Sequence, residues 1–452
     1  MKYISIFIGK IVAKLCVMIG RGSAFPGTVS KMIDKNILKK FILPEKIIVV
    51  TGSSGKGSTT RIIANGLREA GYTVAHNKEG GNETSGVITT LLKNCRLNGK
   101  IKTQAIVLEM DERYIKYVVP IIKPSDIVIT NITRDQPPRQ RHTDFIIDEI
   151  NKGLTEDAHL YLNANDPILQ KFLKDRKNEV TYYGIDKLST SYKKNMFNSL
   201  NCPRCIKCNH KLKYDYYLIE DLGSYKCSNE KCDFKEPKAK YMITGYDDCR
   251  ITINNKYSIT LNNDMLYNFY NTLAAFSVLA EQNLDKDKIA QAIENQNRDK
   301  KVYNKYSVKG RRVFVLNNKC ENASTYNQSM LYTYQSKEKK TIVIGWEEIS
   351  RRYLWDDLSW LYDIEFELFN KQDIDKIIVC GPQRYDLAVR LKYAGISDDK
   401  IKIHKDLYEA KDDIESSQGD IYGILNFDYV NDFNRVMEEL KWKWIFFVYI
   451  VT

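Results

Sequence analysis

A chain of 452 residues with 43% hydrophobic and 28% charged residues has the balance of a globular protein of two or three domains, which excludes a disordered chain or one built around membrane spans. Its net charge of +12 suits anionic partners such as a nucleotide, a phosphorylated substrate or an acidic membrane surface, but no dense Lys/Arg run accompanies it, and a dedicated nucleic-acid binder is excluded. Ten cysteines in a chain with no export signal point to reduced thiols and a metal rather than a disulfide framework, and hence to the cytoplasm.

In chain order, Met1–Gly20 is interrupted by Lys10 and Lys14 and followed by no small-residue cleavage site, so it reads as an amphipathic helix that stays on the protein. This N-terminal helical segment runs to about residue 45. From Lys46, short β-rich runs alternate with helical patterns: KIIVV (46–50), a helix from about Ser58 to Ala70, QAIVLEM (104–110) and DIVITNI (126–132). Such alternation predicts an α/β fold, a parallel sheet with helices on both faces. Near Thr190 the pattern breaks, and a Cys- and Lys-rich insertion occupies about 200–240. A β stretch, RITINNKYSITL (250–261), and a helix from near Met265 carrying LYNFYNTLAAFSVLA return to the first domain, 46–302. A second, Rossmann-like α/β domain, 303–452, follows with RRVFVLNN (311–318), TIVIGW (341–346) and KIIVCG (376–381). The apolar tail Trp444–Val451 is far shorter than the roughly twenty residues that span a bilayer, and is expected as a buried final strand.

The sequence Thr51-Gly52-Ser53-Ser54-Gly55-Lys56-Gly57-Ser58-Thr59 follows a strand and opens a helix, the context in which a glycine-rich turn cradles phosphates. Its glycines let backbone N–H groups approach phosphate oxygens, and the helix start adds its positive dipole end. Lys56 is placed to pair with the β- and γ-phosphates, and Ser58 or Thr59 to offer a hydroxyl to Mg²⁺. Glu109, followed by Asp111 and Glu112, ends an apolar strand where a carboxylate reaches a metal bound over such a loop. Asn131 ends another. Asn268 and Asn271 are three apart and share a helix face, either to read adenine or to be solvated.

Five cysteines, Cys202, Cys205, Cys208, Cys227 and Cys232, carry the spacing of a zinc ribbon, with one to spare. Turn-tolerant Asn209 and Asp233 follow Cys208 and Cys232, which favours Cys205, Cys208, Cys227 and Cys232 as the set, with Cys202 as the alternate. No water-binding position is evident, so the zinc is structural.

Over nearly its whole length the chain resembles the MurT family of Mur-ligase-like subunits. The resemblance is carried by GRGSAFPG (20–27), the loop above, Asn77, Gly80, Asn82 and Gly86 in N-x-x-G-x-N-x-x-x-G, LEMDE (108–112), TNITRDQ (130–136) and LNANDP (162–167). The Cys₄ insertion, LYNFYNTLAA (266–275), DLSWLYDIEFE (357–367) and GPQRYDLAVRLKYAG (381–395) complete it. It implies a Mur-ligase-type ATPase domain and an ATP-dependent amidation of the D-glutamate α-carboxylate in a lipid-linked cell-wall precursor, through an acyl phosphate, at or near the inner face of the membrane. It also implies a GatD-like glutaminase partner that supplies ammonia and whose Cys–His pair is completed by an aspartate of this chain, Asp363 slightly ahead of Asp357. By the same resemblance Lys56 and Ser58 serve phosphate and Mg²⁺, Glu109 serves Mg²⁺, and Asn268 and Asn271 serve adenine. Three departures stand out: Gly57 where the family has a hydroxyl, GWEEISRRYLW (345–355), and KCENASTYNQ (319–328). They keep a second reading in view, a stand-alone peptide or polyglutamyl ligase acting on another precursor such as pseudomurein.

Overall fold

A computed structural model describes residues 1–18, 20, 22–135, 142–198, 200–298, 305–319, 321–346 and 357–451, with 298 and 442–451 described by backbone alone. The chain divides into two compact units. The first comprises Met1–Ile132, Thr143–Lys193 and Cys202–Lys300, and the second Thr133–His142, Lys194–Asn201 and Lys301–Thr452. The N-terminal helices are therefore part of the first unit, and two short stretches inside the first domain's sequence cluster with the second.

The first unit opens with α1 (Lys2–Met18) and α2 (Phe25–Ile33). Then follow β1 (Lys46–Thr51), α3 (Lys56–Glu69), β2 (Val74–His76), α4 (Thr84–Asn94), β3 (Ala105–Glu109), α5 (Ile115–Ile122), β4 (Asp126–Ile129), α6 (Thr143–Asn151), β5 (His159–Asn163) and β6 (Val180–Ile185). The hairpin β7 (Leu212–Ile219) and β8 (Leu222–Cys227) forms a small separate sheet; β9 (Tyr241–Asp247), β10 (Arg250–Ile253), β11 (Tyr257–Thr260), α7 (Leu266–Glu281) and α8 (Lys286–Arg298) complete the unit. The main sheet has the order β11-β10-β9-β6-β5-β4-β1-β3-β2, parallel from β2 to β9 and antiparallel in the last two pairings. β1 is a continuous β-branched run with five of its six residues buried, as a strand covered on both faces requires. One core joins Ile47 and Val49 to Leu91 and Val118, and the other joins Ile48 and Val50 to Ile63, Leu67, Leu273 and Phe276.

This topology fixes the site. β1 lies between β3 and β4, with Val50 level with Glu109 on one side and Val128 on the other. Three strand ends therefore open on one edge beside the loop after β1, where open α/β sheets hold ligands.

The second unit holds β12 (Lys305–Val308), β13 (Arg311–Asn318), α9 (Ala323–Gln335), β14 (Lys340–Gly345), β15 (Ile374–Cys380), α10 (Arg384–Tyr393), β16 (Ile401–His404), α11 (Lys411–Ser416), β17 (Asp420–Asn426) and α12 (Val430–Val451). Its sheet runs β12-β13-β17-β14-β15-β16, parallel except for the β12–β13 pair. One sequence expectation fails here: the apolar tail is the end of α12, not a strand. An unbroken apolar run carries no period to separate the two, and the helix is already under way upstream in VNDFNRVMEEL.

Candidate functional site

The loop after β1 is held by its neighbours before any ligand is considered. Ser53 N–H donates to the Asn131 carbonyl at 2.9 Å, Ser54 N–H to Asn131 Oδ1 at 3.0 Å, and the Asn131 amide returns a bond to the Ser54 carbonyl at 3.0 Å. The Thr130 hydroxyl donates to the same carbonyl at 2.7 Å. Asn131, read from sequence only as a strand end, is thus the clamp of the loop. Two turns there need glycine. Gly52 has φ 125° and a Cβ on it would lie 2.3 Å from Thr130 Oγ1; Gly55 has φ 80° and its Cβ would lie 2.1 Å from Asn271 Oδ1. Gly55 precedes α3, which no side chain caps and whose first turn carries no acid, so its N–H groups and dipole offer an anion site.

Lys56 at the head of α3 is paired with Glu112 at 2.7 Å, and its ammonium also bonds the Gly52 carbonyl. Glu112 is 1% exposed, so the pair is set into the protein rather than on its surface. Glu109 stands opposite residue 57: a Cβ on Gly57 would lie 3.0 Å from Glu109 Oε2, and the other carboxylate oxygen accepts from the Asn82 amide at 3.1 Å. Asn77 pins the end of β3, accepting from Glu109 N–H at 2.9 Å and donating to its carbonyl at 2.8 Å. The asparagines of N-x-x-G-x-N therefore position the acid. Their spacing alone did not show this, because the partner lies 27 to 32 residues away.

Among the hydroxyls, Thr59 is buried and donates to Asn271 Oδ1 at 3.4 Å, while Ser58 stays partly exposed beside Gly57. On α7, Asn271 backs the loop at Gly55 and Thr59; Asn268, half-buried, donates to Asn262 Oδ1 and the Asn263 carbonyl. Gly52, Gly55, Lys56, Gly57, Ser58, Glu109 and Asn271 thus meet on one sheet edge. Glu112, which the sequence showed only as one of several acids at that edge, is the direct partner of the lysine.

The sulfurs of Cys205, Cys208, Cys227 and Cys232 all lie within 4.8 Å of one another, the sole group of three or more such ligands among the described residues. Cys208 and Cys227 are 3.3 Å apart and Cys205 and Cys232 3.6 Å, close to the ~3.8 Å between thiolates that sit ~2.3 Å from a tetrahedral zinc. The backbone N–H of His210 draws the Cys208 thiol down to about 6, toward the thiolate that a metal needs. Asn209 takes the left-handed turn, φ 62°, that closes this knuckle. Cys202 is elsewhere: buried, its N–H on Asp221, its sulfur 3.5 Å from the Arg204 carbonyl. These four ligands could bind a metal ion, and the closed arrangement fits a structural zinc.

In the second unit Asp363 receives Arg134 Nη1 at 2.6 Å, and the same guanidinium reaches Ser359 Oγ. Asp357 Oδ1 accepts the Ser359 N–H at 2.9 Å, and the hydrogen bonds from Ser359 hold its carboxyl below the usual range. Trp360 and Phe366 are core residues, and Arg390 secures the turn by donating to the carbonyls of Leu361 and Ile364. Asp135 of TNITRDQ pairs with Lys319 and accepts from Asn322 at 2.9 Å, which unites two motifs far apart in sequence. Cys320 and most of GWEEISRRYLW, 347–355, lie outside the described residues.

The Mur ligase middle domain family matches residues 50–229, and the MurT ligase C-terminal family matches 320–429. A Staphylococcus aureus protein named lipid II isoglutaminyl synthase (glutamine-hydrolyzing) subunit MurT is 30% identical over 438 residues, covering 94% of this chain and 95% of its own. The protein of that name from Streptococcus pneumoniae is 29% identical over 415 residues, 88% of each. In fold, a pseudomurein peptide ligase type C from Methanothermus fervidus superposes with a TM-score of 0.66 at 19% identity, over 90% of this chain and 81% of that one.

Proposed function

The chain belongs to the MurT family of Mur-ligase-like amidoligases, ATP-dependent enzymes that form C–N bonds, and on that premise we propose that it converts a carboxylate of a lipid-linked cell-wall precursor into an amide. The acceptor is the α-carboxylate of D-glutamate in the peptide of lipid II, the substrate class in the relatives' names. The observation that carries the reading is the convergence of the phosphate loop, Lys56 and Glu109 at the edge formed by β1, β3 and β4.

A carboxylate is a poor electrophile, so one of its oxygens first attacks the γ-phosphorus of ATP. The bond to the β-phosphate oxygen breaks, and ADP leaves with that electron pair. Ammonia then attacks the acyl carbon, phosphate departs with the bonding pair, and a proton is lost to give the amide. Each of these steps shifts negative charge onto phosphate oxygens, which the first turn of α3 and Lys56 are placed to stabilise. An ammonium has three N–H donors, so Lys56 can keep Glu112 while it meets phosphate, and Glu112 acts as its positioning residue. Glu109 and Ser58 would hold Mg²⁺, which supplies neutralisation of the phosphate oxygens; the Thr59 hydroxyl is committed to Asn271. Asn271 backs the loop at Gly55 and Asn268 is held by Asn262 and the Asn263 carbonyl, and the two together would read adenine.

The ammonia comes from a GatD-like glutaminase whose histidine an aspartate of this chain orients, as the acid does in a Cys–His–Asp arrangement. Asp363 and Asp357 are both candidates for that aspartate: Asp363 pairs with Arg134, and the hold of Ser359 on Asp357, which lowers its pKa, supports Asp357 as the acid offered to the partner. Mass spectrometry of products from ATP, glutamine and lipid II, with and without the co-purified glutaminase, tests the reading. The expected product is the amidated precursor with stoichiometric ADP and phosphate; a peptide adduct in its place would establish the stand-alone ligase instead.

A further inference from the structure

α1 is built the wrong way round for a helix in contact with water. The residues it turns inward are small, Ser5, Gly9, Ala13 and Cys16 with Ile6, while Tyr3, Ile4, Phe7, Ile11, Leu15 and Met18 point outward. At 100° per residue these six fall within an arc of about 120°. They are well exposed: 52% for Phe7, 57% for Leu15 and 82% for Met18. The helix cannot roll to bury them, because its inner face is fixed by polar anchors. Ser5 Oγ donates to the Ser30 carbonyl at 2.8 Å, and Lys10 Nζ donates to the carbonyls of Leu92 and Cys95 at the end of α4, at 2.8 and 2.9 Å. A Cβ on Gly9 would lie 2.8 Å from Leu92 Cδ1, so the small residues are what lets α1 sit so close. α2 packs against α1 and adds Phe25 and Met32, 60% and 79% exposed.

Charge decides what covers this face. Residues 1–44 contain eight basic side chains and a single acid, Asp34, which is buried and paired with Lys40. Lys14 lies inside the apolar arc and is exposed. A two-fold contact with a second copy of the chain would set this positive surface against itself. An anionic bilayer accepts both features, the apolar side chains below the headgroups and the lysine among the phosphates. Among the described residues no helix is long and apolar enough to cross a membrane, so contact is lateral.

We propose that α1 is an interfacial anchor that lays its outward arc into the headgroup–acyl boundary of an anionic bilayer, with Lys14 reaching the lipid phosphates. The inference goes beyond the reaction proposed above and stands on α1 whatever the acceptor is. Flotation of the full chain with phosphatidylcholine vesicles, with and without phosphatidylglycerol, tests it. Wild type floats with the anionic vesicles. Phe7→Ser with Leu15→Ser, both at exposed positions, lowers partitioning roughly tenfold or more at an unchanged melting temperature. Lys14→Glu lowers it roughly fivefold on anionic vesicles and leaves neutral ones unaffected. Failure of wild type to float overturns the proposal. So does equal flotation of the double variant, which would move the contact to another part of the chain. A wild-type dimer that dissociates in the double variant, without vesicle binding by either, would assign the face to self-association and overturn it as well.

Discussion

The phosphate loop and the four-cysteine ribbon belong to the same unit, yet they are held in shape by opposite means. The loop is fixed by its surroundings, since Asn131, Thr130 and Asn271 bond or pack against its backbone, around the N-terminus of α3 and the Lys56 to which the phosphate chemistry is assigned in the proposal. The ribbon has little around it: Tyr225 and Phe234 are the main apolar side chains packed with its cysteines. Four sulfurs within 4.8 Å of one another could bind a metal ion, and on the structural-zinc reading that ion would hold the ribbon together. A region shaped by neighbours keeps its form when its ligand or key side chain is removed, and a region shaped by a metal does not.

The largest expected break in this comparison is at Lys56. Lys56→Ala lowers ATP-dependent amidation by about 10²–10³-fold or more while the chain still folds, because its contribution is electrostatic and made in the transition state; the melting temperature drops because buried Glu112 loses this partner. A loss of fold in a calorimetric scan would contradict it. Next is the metal. Zinc is expected at one per chain by elemental analysis, and Cys208→Ser or chelation lowers thermal stability, with nucleotide affinity measured by calorimetry retained. If chelation removed nucleotide binding and left stability unchanged, the metal would be catalytic.

The third effect belongs to the second unit. Asp357→Asn lowers glutamine-driven amidation by about 10²-fold or more and spares amidation driven by ammonium chloride, because the acyl-phosphate chemistry lies elsewhere on the chain. Asp363→Asn removes one partner of Arg134, a half-exposed pair that contributes about 0.2–1 kcal/mol, and mainly lowers the melting temperature. Equal losses with both nitrogen sources would place these acids at the amine site of a stand-alone ligase.

Smaller again is Gly55→Ala. A side chain at φ 80° that also meets Asn271 costs about 1–3 kcal/mol, detectable as a lower denaturant midpoint. The last effect is in pH. Burial first, then the charges of Arg68 and Lys78, hold the His76 imidazole at about 4. In the unfolded chain it binds its proton as pH falls through about 6.5, so folded stability is complete above that value and declines as pH drops toward 4. His76 is partly exposed, which limits the loss to about 1–2 kcal/mol, and His76→Gln should remove it. His76 adjoins Asn77, the anchor of Glu109, so the loop side should feel this titration and the ribbon should not.

How far these features were legible follows from the distance over which each is determined. The loop was legible because a strand, two glycines and a lysine within ten residues already require that turn. The ribbon was legible because metal geometry constrains local spacing: the sulfurs of Cys205, Cys208, Cys227 and Cys232 lie together, and that of Cys202 lies apart. Lys56 and Glu112 are 56 residues apart, and Arg134 and Asp363 are 229 apart; no local pattern announces either pair. The outward face of α1 was legible as amphipathic but not as inverted, since only packing shows which stripe goes inside.

The most direct test of the central claim is nitrogen transfer itself. With ATP, isotopically labelled ammonium and lipid II, mass spectrometry should find the label in a single new amide at the D-glutamate α-carboxylate, with one ADP and one phosphate formed per amide, and none in Lys56→Ala. ATP turnover without label in the precursor, or label-free extension of its peptide, would contradict the amidating reaction.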